Sequence, residues 1–330
     1  MNRIIEYNYY MSKTALITGI NGMDGSHLAD FLLEKGYKVY GLERWKSSYS
    51  YHNLEKSKDK ITFLRADLSD QNSITKAIHS SHPDEIYNLA AQSFVGESWT
   101  VPEMTSDITG IGLLRVLESV REVNKNIRVF QATSNELFSG TNGEINESSY
   151  ICPNSPYGAS KAYAHFITNS YRDHLGLYAV SGILFNHESE RRSLQFVTRK
   201  ITDGVAQIAK GKLDKIMLGN IESERDWGYA PDYVQGMWMS LQRDVPDTYV
   251  FSTGKLKTIK DFLQSAFKVV GIENWQDYVG RDERFYRPYD KRCIWGDSSK
   301  AKELLGWQPE TNFDNWVEKM VLNDLELQGK

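Results

Sequence analysis

Cysteine is nearly absent from this chain of 330 residues, with only Cys152 and Cys293 present. They are far apart and have no histidine-rich neighbourhood, which argues against a disulfide framework and against a zinc motif. No apolar run approaches the ~18 residues that a membrane-spanning helix needs. Neither sign of charge dominates, since 39 Lys and Arg face 43 Asp and Glu for a net charge of -4. Nucleic acid and membrane surfaces, which call for concentrated positive charge, are therefore not the expected partners. A reducing, cytoplasmic setting and small-molecule chemistry are expected instead. Residues 1–10 carry acid and aromatics in place of a signal peptide's apolar stretch. They are read as a leader outside the fold, with Met11 as an alternative start.

What is present is alternation. Residues 14–17 form a short apolar run that stops at a glycine-rich turn, and residues 26–35 then show helical spacing in Leu28, Phe31 and Leu32. The same exchange recurs with strands at 37–42, 61–64, 85–89 and 127–132 and helices at 71–80, 105–123 and 157–175. Strands that are apolar on both faces, separated by helices, predict an α/β fold with a Rossmann-like, doubly wound parallel sheet. The pattern loosens after the apolar run 178–185. Later helices are expected at 198–210, 232–241, 259–270, 298–305 and 313–325, with a return to the sheet at 249–252. The reading is a dinucleotide-binding domain over 12–185 with a return segment near 228–255. A smaller, discontinuous C-terminal substrate-binding domain would take 186–227 and 256–330.

Gly19, Gly22 and Gly25 lie between the first strand and the first helix. A dinucleotide pyrophosphate needs that setting, because glycine lets the backbone approach the phosphates and the helix start offers free N–H groups. An acidic residue ending the second strand would grip an NAD ribose, and Glu43 stands there. Arg44 and Lys46 follow it and suit a 2′-phosphate, so NADP is expected over NAD, with Arg44 as a solvated loop residue the alternative. Asp67-Leu68 and Leu89-Ala90-Ala91-Gln92-Ser93 follow the third and fourth strands at the sheet's carboxyl edge, where a dinucleotide would run; each could also be an ordinary turn.

Tyr157 and Lys161 are four apart at a helix start and so share a face. A lysine ammonium beside a phenol favours the phenolate, which predicts a tyrosine base titrating well below the usual ~10. Ser134 and Glu136 stand two apart at the end of the fifth strand and point the same way if that strand persists. Hydride transfer needs only Tyr, Lys and Ser; a second carboxylate base suits proton abstraction beside a new carbonyl. The alternative for Glu136 is a loop glutamate facing solvent.

From 14 to 324 the chain resembles the GDP-mannose 4,6-dehydratases, within the extended short-chain dehydrogenase/reductase superfamily. The resemblance is carried by Tyr87-Asn88-Leu89-Ala90-Ala91-Gln92-Ser93, Ser155-Pro156-Tyr157-Gly158, Gly182-Ile183-Leu184-Phe185-Asn186-His187-Glu188-Ser189, Phe196-Val197-Thr198-Arg199-Lys200-Ile201 and Arg225-Asp226-Trp227-Gly228. It implies Ser134, Glu136, Tyr157 and Lys161 as the catalytic set. It implies cofactor contacts at Gly19, Asn21, Gly22, Met23, Asp24, Gly25, Arg44, Asp67, Leu68, Leu89, Ala90, Ala91, Gln92, Ser93, His187 and Arg192, besides Tyr157 and Lys161. Asn186, Lys200, Arg225, Arg287 and Asp290 would receive a GDP-sugar, and a homo-oligomer, dimer or tetramer, is implied. The chain departs from the family's pattern at Ser134, Asn135, Ser139, Met104, Trp45, Lys46, Glu190, Ser193 and Asp290. Those departures leave room for a modified hexose or a GDP-heptose. A 4-ketoreductase or 4-epimerase of the same superfamily is the nearest rival, and an NADP sensor without turnover is a more distant one.

Overall fold

The computed structural model describes residues 12–283 and 293–329. The expected leader 1–10, the alternative start Met11 and the two expected sugar-nucleotide contacts Arg287 and Asp290 lie outside the described residues.

The first half alternates β1 (Thr14–Thr18), α1 (Met23–Glu34), β2 (Lys38–Glu43), β3 (Ile61–Arg65), α2 (Gln71–Ser81) and β4 (Glu85–Asn88). Then come α3 (Pro102–Ser106), a π-helical turn (Asp107–Ile111), α4 (Gly112–Val123), β5 (Arg128–Ala132), the short β6 (Gly143–Ile145), α5 (Pro156–Leu175) and β7 (Ala179–Leu184). The second half holds β8 (Asn186–Glu188), α6 (Val197–Ala209), β9 (Ile216–Leu218), β10 (Glu224–Tyr229), α7 (Ala230–Ser240), β11 (Thr248–Phe251) and β12 (Leu256–Thr258). It closes with α8 (Ile259–Val269), β13 (Val279–Arg281), β14 (Ile294–Gly296), α9 (Ser299–Leu305) and α10 (Phe313–Gln328).

Seven strands form one sheet in the order β11-β7-β5-β4-β1-β2-β3, every neighbouring pair parallel. Its order steps outward from β1 in both directions, which is the doubly wound topology expected from the sequence. Side chains alternate across it. Ala15 and Ile17 enter one core with α1, α7 and α9, while Leu16 enters the other with α2, α4 and α5. A fully buried Leu16 or Ile17 side chain contributes roughly 1.5–3 kcal/mol.

A third core gathers α6, α8 and α10, where Phe262 packs against Trp227, Phe313 and Trp316. Buried Asp324 of α10 takes both bonds of Arg199 Nε at 3.0 Å and Thr202 Oγ1 at 2.7 Å from α6. The stretch 256–330 is divided between cores. Its Ala301 and Trp307 belong to the first, with Trp307 edge-on to Phe251 at 4.9 Å. Asp226 of β10 knots three remote segments, accepting from Thr253 N and Gly254 N at 2.9 Å and from Gly296 N at 3.1 Å.

The helix expected over 105–123 differs. It begins at Pro102 and widens into the π turn, where a side chain at Gly110 would press on Tyr163 at 3.3 Å and on the Ser160 carbonyl at 3.4 Å. One extra residue per turn is invisible to a 3.6-residue periodicity. Among the described residues no helix is long and apolar enough to cross a membrane.

Candidate active site

A cleft of about 580 Å³ opens at the carboxyl ends of β1, β2, β4 and β5, the edge where open α/β sheets receive ligands. Its floor is the glycine turn. Gly19 holds a left-handed φ of +69°, and an added Cβ there would meet Ala90 N at 2.8 Å. At Gly25 a Cβ would fall 2.3 Å from the Gly19 carbonyl, so the strand, turn and helix close on each other with no room for a side chain. Thr18 completes the junction, since its Oγ1 accepts from Leu89 N and Ala90 N at 3.0 Å and donates to Asn88 Oδ1 at 2.8 Å. The turn and the 89–93 loop are thereby locked together.

Every cofactor contact expected from the sequence lines this one cleft, from Gly19, Asn21, Gly22, Met23, Asp24 and Gly25 through Arg44, Asp67, Leu68 and Leu89–Ser93 to His187 and Arg192. Two buried oxygens on its wall, Asn21 Oδ1 and Gln92 Oε1, have no hydrogen-bond partner among the described residues. Buried acceptors without donors are costly, and a ligand carrying hydroxyl or amide donors fits them. Glu43 at the end of β2 is buried, and its carboxylate accepts from Tyr51 Oη at 3.1 Å. Arg44 and Lys46 just beyond it are exposed on the cleft rim.

Tyr157, Lys161, Ser134 and Glu136 line the inner end of the same cleft. Ser155 caps α5 by accepting from Gly158 N at 3.0 Å, and Pro156 occupies the first turn. Gly158 is required there, because a Cβ would come to 2.7 Å from the Glu136 carbonyl. That close approach carries Tyr157 up to the 134–136 segment. β5 does not persist, however. It ends at Ala132, and residues Asn135–Phe138 form a 3-10 turn capped by Ser134 Oγ, which accepts from Glu136 N at 3.2 Å. Ser134 and Glu136 reach the cleft through that turn instead of through strand alternation.

Glu136 is only 6 % exposed and Lys161 3 %. Lys161 Nζ donates to the Ala132 carbonyl at 2.7 Å and stands 5.8 Å from the centre of the Tyr157 ring. Burial brings the Lys161 ammonium down to about 8, partly opposed by Asp24. The phenol of Tyr157 is raised above its ordinary value, first by burial and then by the Glu136 carboxylate, while its hydrogen bond with Ser134 and the charge of Arg192 pull the other way. The low-titrating phenol expected from the sequence is thus not produced by these protein groups, because desolvation outweighs them.

His187 joins the turn to β8. Nδ1 donates to the Phe185 carbonyl at 2.7 Å, Nε2 meets Asp24 Oδ1 at 2.9 Å, and the ring stacks on Tyr233 at 4.5 Å. Burial works to lower its pKa, yet Asp24 outweighs burial and the ring is raised. The carboxyl of Asp24 is in turn lowered: burial opposes this, but His187, Arg192 and His27 prevail.

Of the expected sugar-nucleotide contacts, Asn186 lines the cleft and accepts from Asn135 Nδ2 at 3.0 Å. Lys200 and Arg225 do not line it; Lys200 Nζ donates to the Met217 carbonyl at 2.7 Å and Arg225 Nη1 to the Glu224 carbonyl at 2.6 Å. Sequence reading missed Thr18, Tyr49 and Thr109, and named Asn135 only as a departure from the family's pattern. Thr109 Oγ1, on the π turn, accepts from Gln92 N at 3.2 Å. The threonine that ends β1 was the one of these with a signal, sitting directly before the first glycine.

The family model described as GDP-mannose 4,6 dehydratase matches residues 16–320. The chain is 47 % identical over 329 residues to GDP-mannose 4,6 dehydratase 1 of Arabidopsis thaliana, covering 96 % of this chain and 90 % of that one. Among solved structures, dTDP-glucose 4,6-dehydratase of Bacillus anthracis in complex with NAD superposes with a TM-score of 0.83 at 20 % identity, covering 96 % and 98 % of the two chains. RMD from Pseudomonas aeruginosa complexed with NADPH gives 0.78 at 18 %, covering 96 % and 100 %.

Proposed function

The chain belongs to the GDP-mannose 4,6-dehydratase family, hydro-lyases acting on nucleotide sugars, and from that premise we propose that it converts GDP-mannose, or a close GDP-sugar, to the 4-keto-6-deoxy product. A nicotinamide cofactor occupies the cleft in this reading, held by the glycine turn, the 89–93 loop, His187 and Arg192. NADP is favoured over NAD, because the Glu43 carboxylate already has the Tyr51 hydroxyl as a donor, while Arg44 and Lys46 stand exposed at the rim. A bound nicotinamide would supply reversible hydride transfer between C4 and C6 and, when oxidised, a positive charge that favours the phenolate.

The chain's own residues handle the protons. Tyr157 takes the proton of the C4 hydroxyl, with Ser134 hydrogen-bonded to its oxygen. Lys161, fixed by the Ala132 carbonyl, keeps a positive charge near the phenol. The C4 ketone acidifies the hydrogen on C5; Glu136 removes it and passes that proton to the C6 hydroxyl, which departs as water, and the proton held by Tyr157 returns to C5 in the last step. The single observation carrying this reading is the burial of the Glu136 carboxylate in the same cleft as Tyr157, close enough to raise that phenol. A 4-epimerase or ketoreductase has no step for such a base.

Glu136→Gln is expected to bind GDP-mannose and cofactor like the parent but to lose at least ~100-fold in product formation, the scale of a missing general base. Product is read by NMR from the new methyl signal at C6, with a GDP-heptose as a second substrate. Normal turnover by that variant would remove Glu136 from the reaction, and a parent product still hydroxylated at C6 would select the reductase or epimerase instead. Replacing Arg44 and Lys46 with Ala is expected to weaken NADP by ~10-fold or more and NAD far less, the worth of a charge-assisted contact; equal losses in fluorescence titrations would overturn the preference for NADP.

A further inference from the structure

The face of α5 that carries Tyr157 and Lys161 continues one and two turns further with His165 and Asn169. His165 is buried against β5 and β7, where the proposed chemistry has no use for it. Asn169 Nδ2 donates to His165 Nε2 at 3.0 Å, so the ring proton sits on Nδ1, which donates to Ser181 Oγ at 2.9 Å. Ser181 Oγ lies 3.4 Å from Thr133 Oγ1, and Thr133 Oγ1 donates to the Gly182 carbonyl at 2.8 Å. That carbonyl also receives Thr133 N at 2.8 Å. At the other end Thr248 Oγ1 donates to Asn169 Oδ1 at 3.2 Å. The donors run in one direction from Thr248 to Gly182, which only a neutral imidazole permits. Burial, helped by Arg172, brings the ring down to about 4, so it remains neutral at ordinary pH.

Thr133 is the residue between the two that matter. Ala132 before it offers the carbonyl that receives Lys161 Nζ, and Ser134 after it meets Tyr157. An apolar side chain of similar size would fill the space of His165 without the cost of burying polar atoms, so the imidazole is explained by what it holds. We propose that His165, acting through Ser181 and Thr133, is a positioning residue that fixes the end of β5 so that the Ala132 carbonyl and the Ser134 hydroxyl stay in register with Lys161 and Tyr157. The inference rests on the catalytic assignment of those residues, yet the register itself can be measured without substrate.

The test uses the full chain as parent, His165→Leu, His165→Asn and Ser181→Ala. In the first readout, Lys161 is titrated by NMR of carbon-labelled lysine, assigned by its loss in Lys161→Arg. Loosening of the Ala132 carbonyl removes an acceptor from the ammonium, so the Lys161 titration is expected to move to lower pH in His165→Leu and Ser181→Ala. In His165→Asn, which keeps a donor at the Nδ1 position, it should return toward the parent's value near 8. In the second, turnover well below the melting temperature is expected to show kcat reduced ~10–100-fold with KM little changed, the signature of displaced catalytic groups. Lys161 titrating as in the parent in both damaged variants overturns the proposal, as does a kcat within about twofold of the parent. Should His165→Leu fail to fold, Ser181→Ala removes a single oxygen and carries the test. A parent that forms no 4-keto-6-deoxy sugar sinks the dehydratase reading alone, since the lysine titration still decides this one.

Discussion

At the scale of single residues, the molecule shows which buried polar groups have partners and which do not. Tyr233 is fully buried, its hydroxyl has no hydrogen-bond partner among the described residues, and its ring is packed between His187 and Trp307. An unsatisfied buried hydroxyl costs about 1–3 kcal/mol, so Tyr233→Phe is expected to raise stability by roughly 1 kcal/mol while leaving the His187 stack intact. Urea unfolding of the two proteins checks this, and a destabilised variant would mean that a solvent molecule serves the hydroxyl. Asp226 is the opposite case. Burial raises its carboxyl, yet four donors from Thr253, Gly254 and Gly296 converge on it. Tyr157 and Lys161 also depart from ordinary surface behaviour, and in both cases the departure begins with burial, a quantity that the sequence does not contain.

At the scale of elements, the glycine turn offers a graded test. Gly25→Ala drives a methyl to 2.3 Å from the Gly19 carbonyl and 2.6 Å from Ile20 Cα, backbone atoms that cannot yield, whereas at Gly22 the nearest atom is 3.1 Å away. Gly25→Ala is expected to lose cofactor binding and to cost upward of ~3 kcal/mol, beyond ordinary overpacking, and Gly22→Ala much less. Melting curves with and without NADP distinguish them; equal effects would contradict the geometry. This turn was legible in advance because its signal is local: a strand, three spaced glycines and a helix within a dozen residues. Tyr157 and Lys161 were legible for the same reason, being one helical turn apart. The π turn at Asp107–Ile111 was not, since it changes no periodicity that a short window can detect. Nor were the pairings of β6 with β14 and β9 with β13, where three-residue strands remote in the chain meet as parallel pairs. The 3-10 turn after β5 misled as well, because strand alternation gave the right destination for Ser134 and Glu136 by the wrong route.

At the scale of the whole molecule, buried histidines tie stability to pH. His27 and His165 are both held near 4 by burial, below the ordinary ~6.5. A group whose folded pKa is depressed contributes stability that is full above its unfolded value and is lost as pH falls through the window down to the folded one. The chain is therefore expected to weaken between pH 6.5 and 4, with His165 alone accounting for roughly 3 kcal/mol at the acid end. His187, raised by Asp24, has the opposite sign and loses its contribution as pH rises through its own pKa. Urea unfolding at several pH values should show a shallower acid slope in His165→Leu than in the parent; identical slopes would exclude His165 as a titrating group. The order of strands in the large sheet has a different consequence. β11 covers β7 but is made much later in the chain, after all of α6, β9, β10 and α7. A chain still lacking β11 presents the six residues of β7, all buried in the finished molecule, as a bare rim able to pair with another copy. On the ribosome, the interval between residues 185 and 248 is thus a period of exposure, during which a holdase would have to shield what the sheet's last-made strand cannot yet reach.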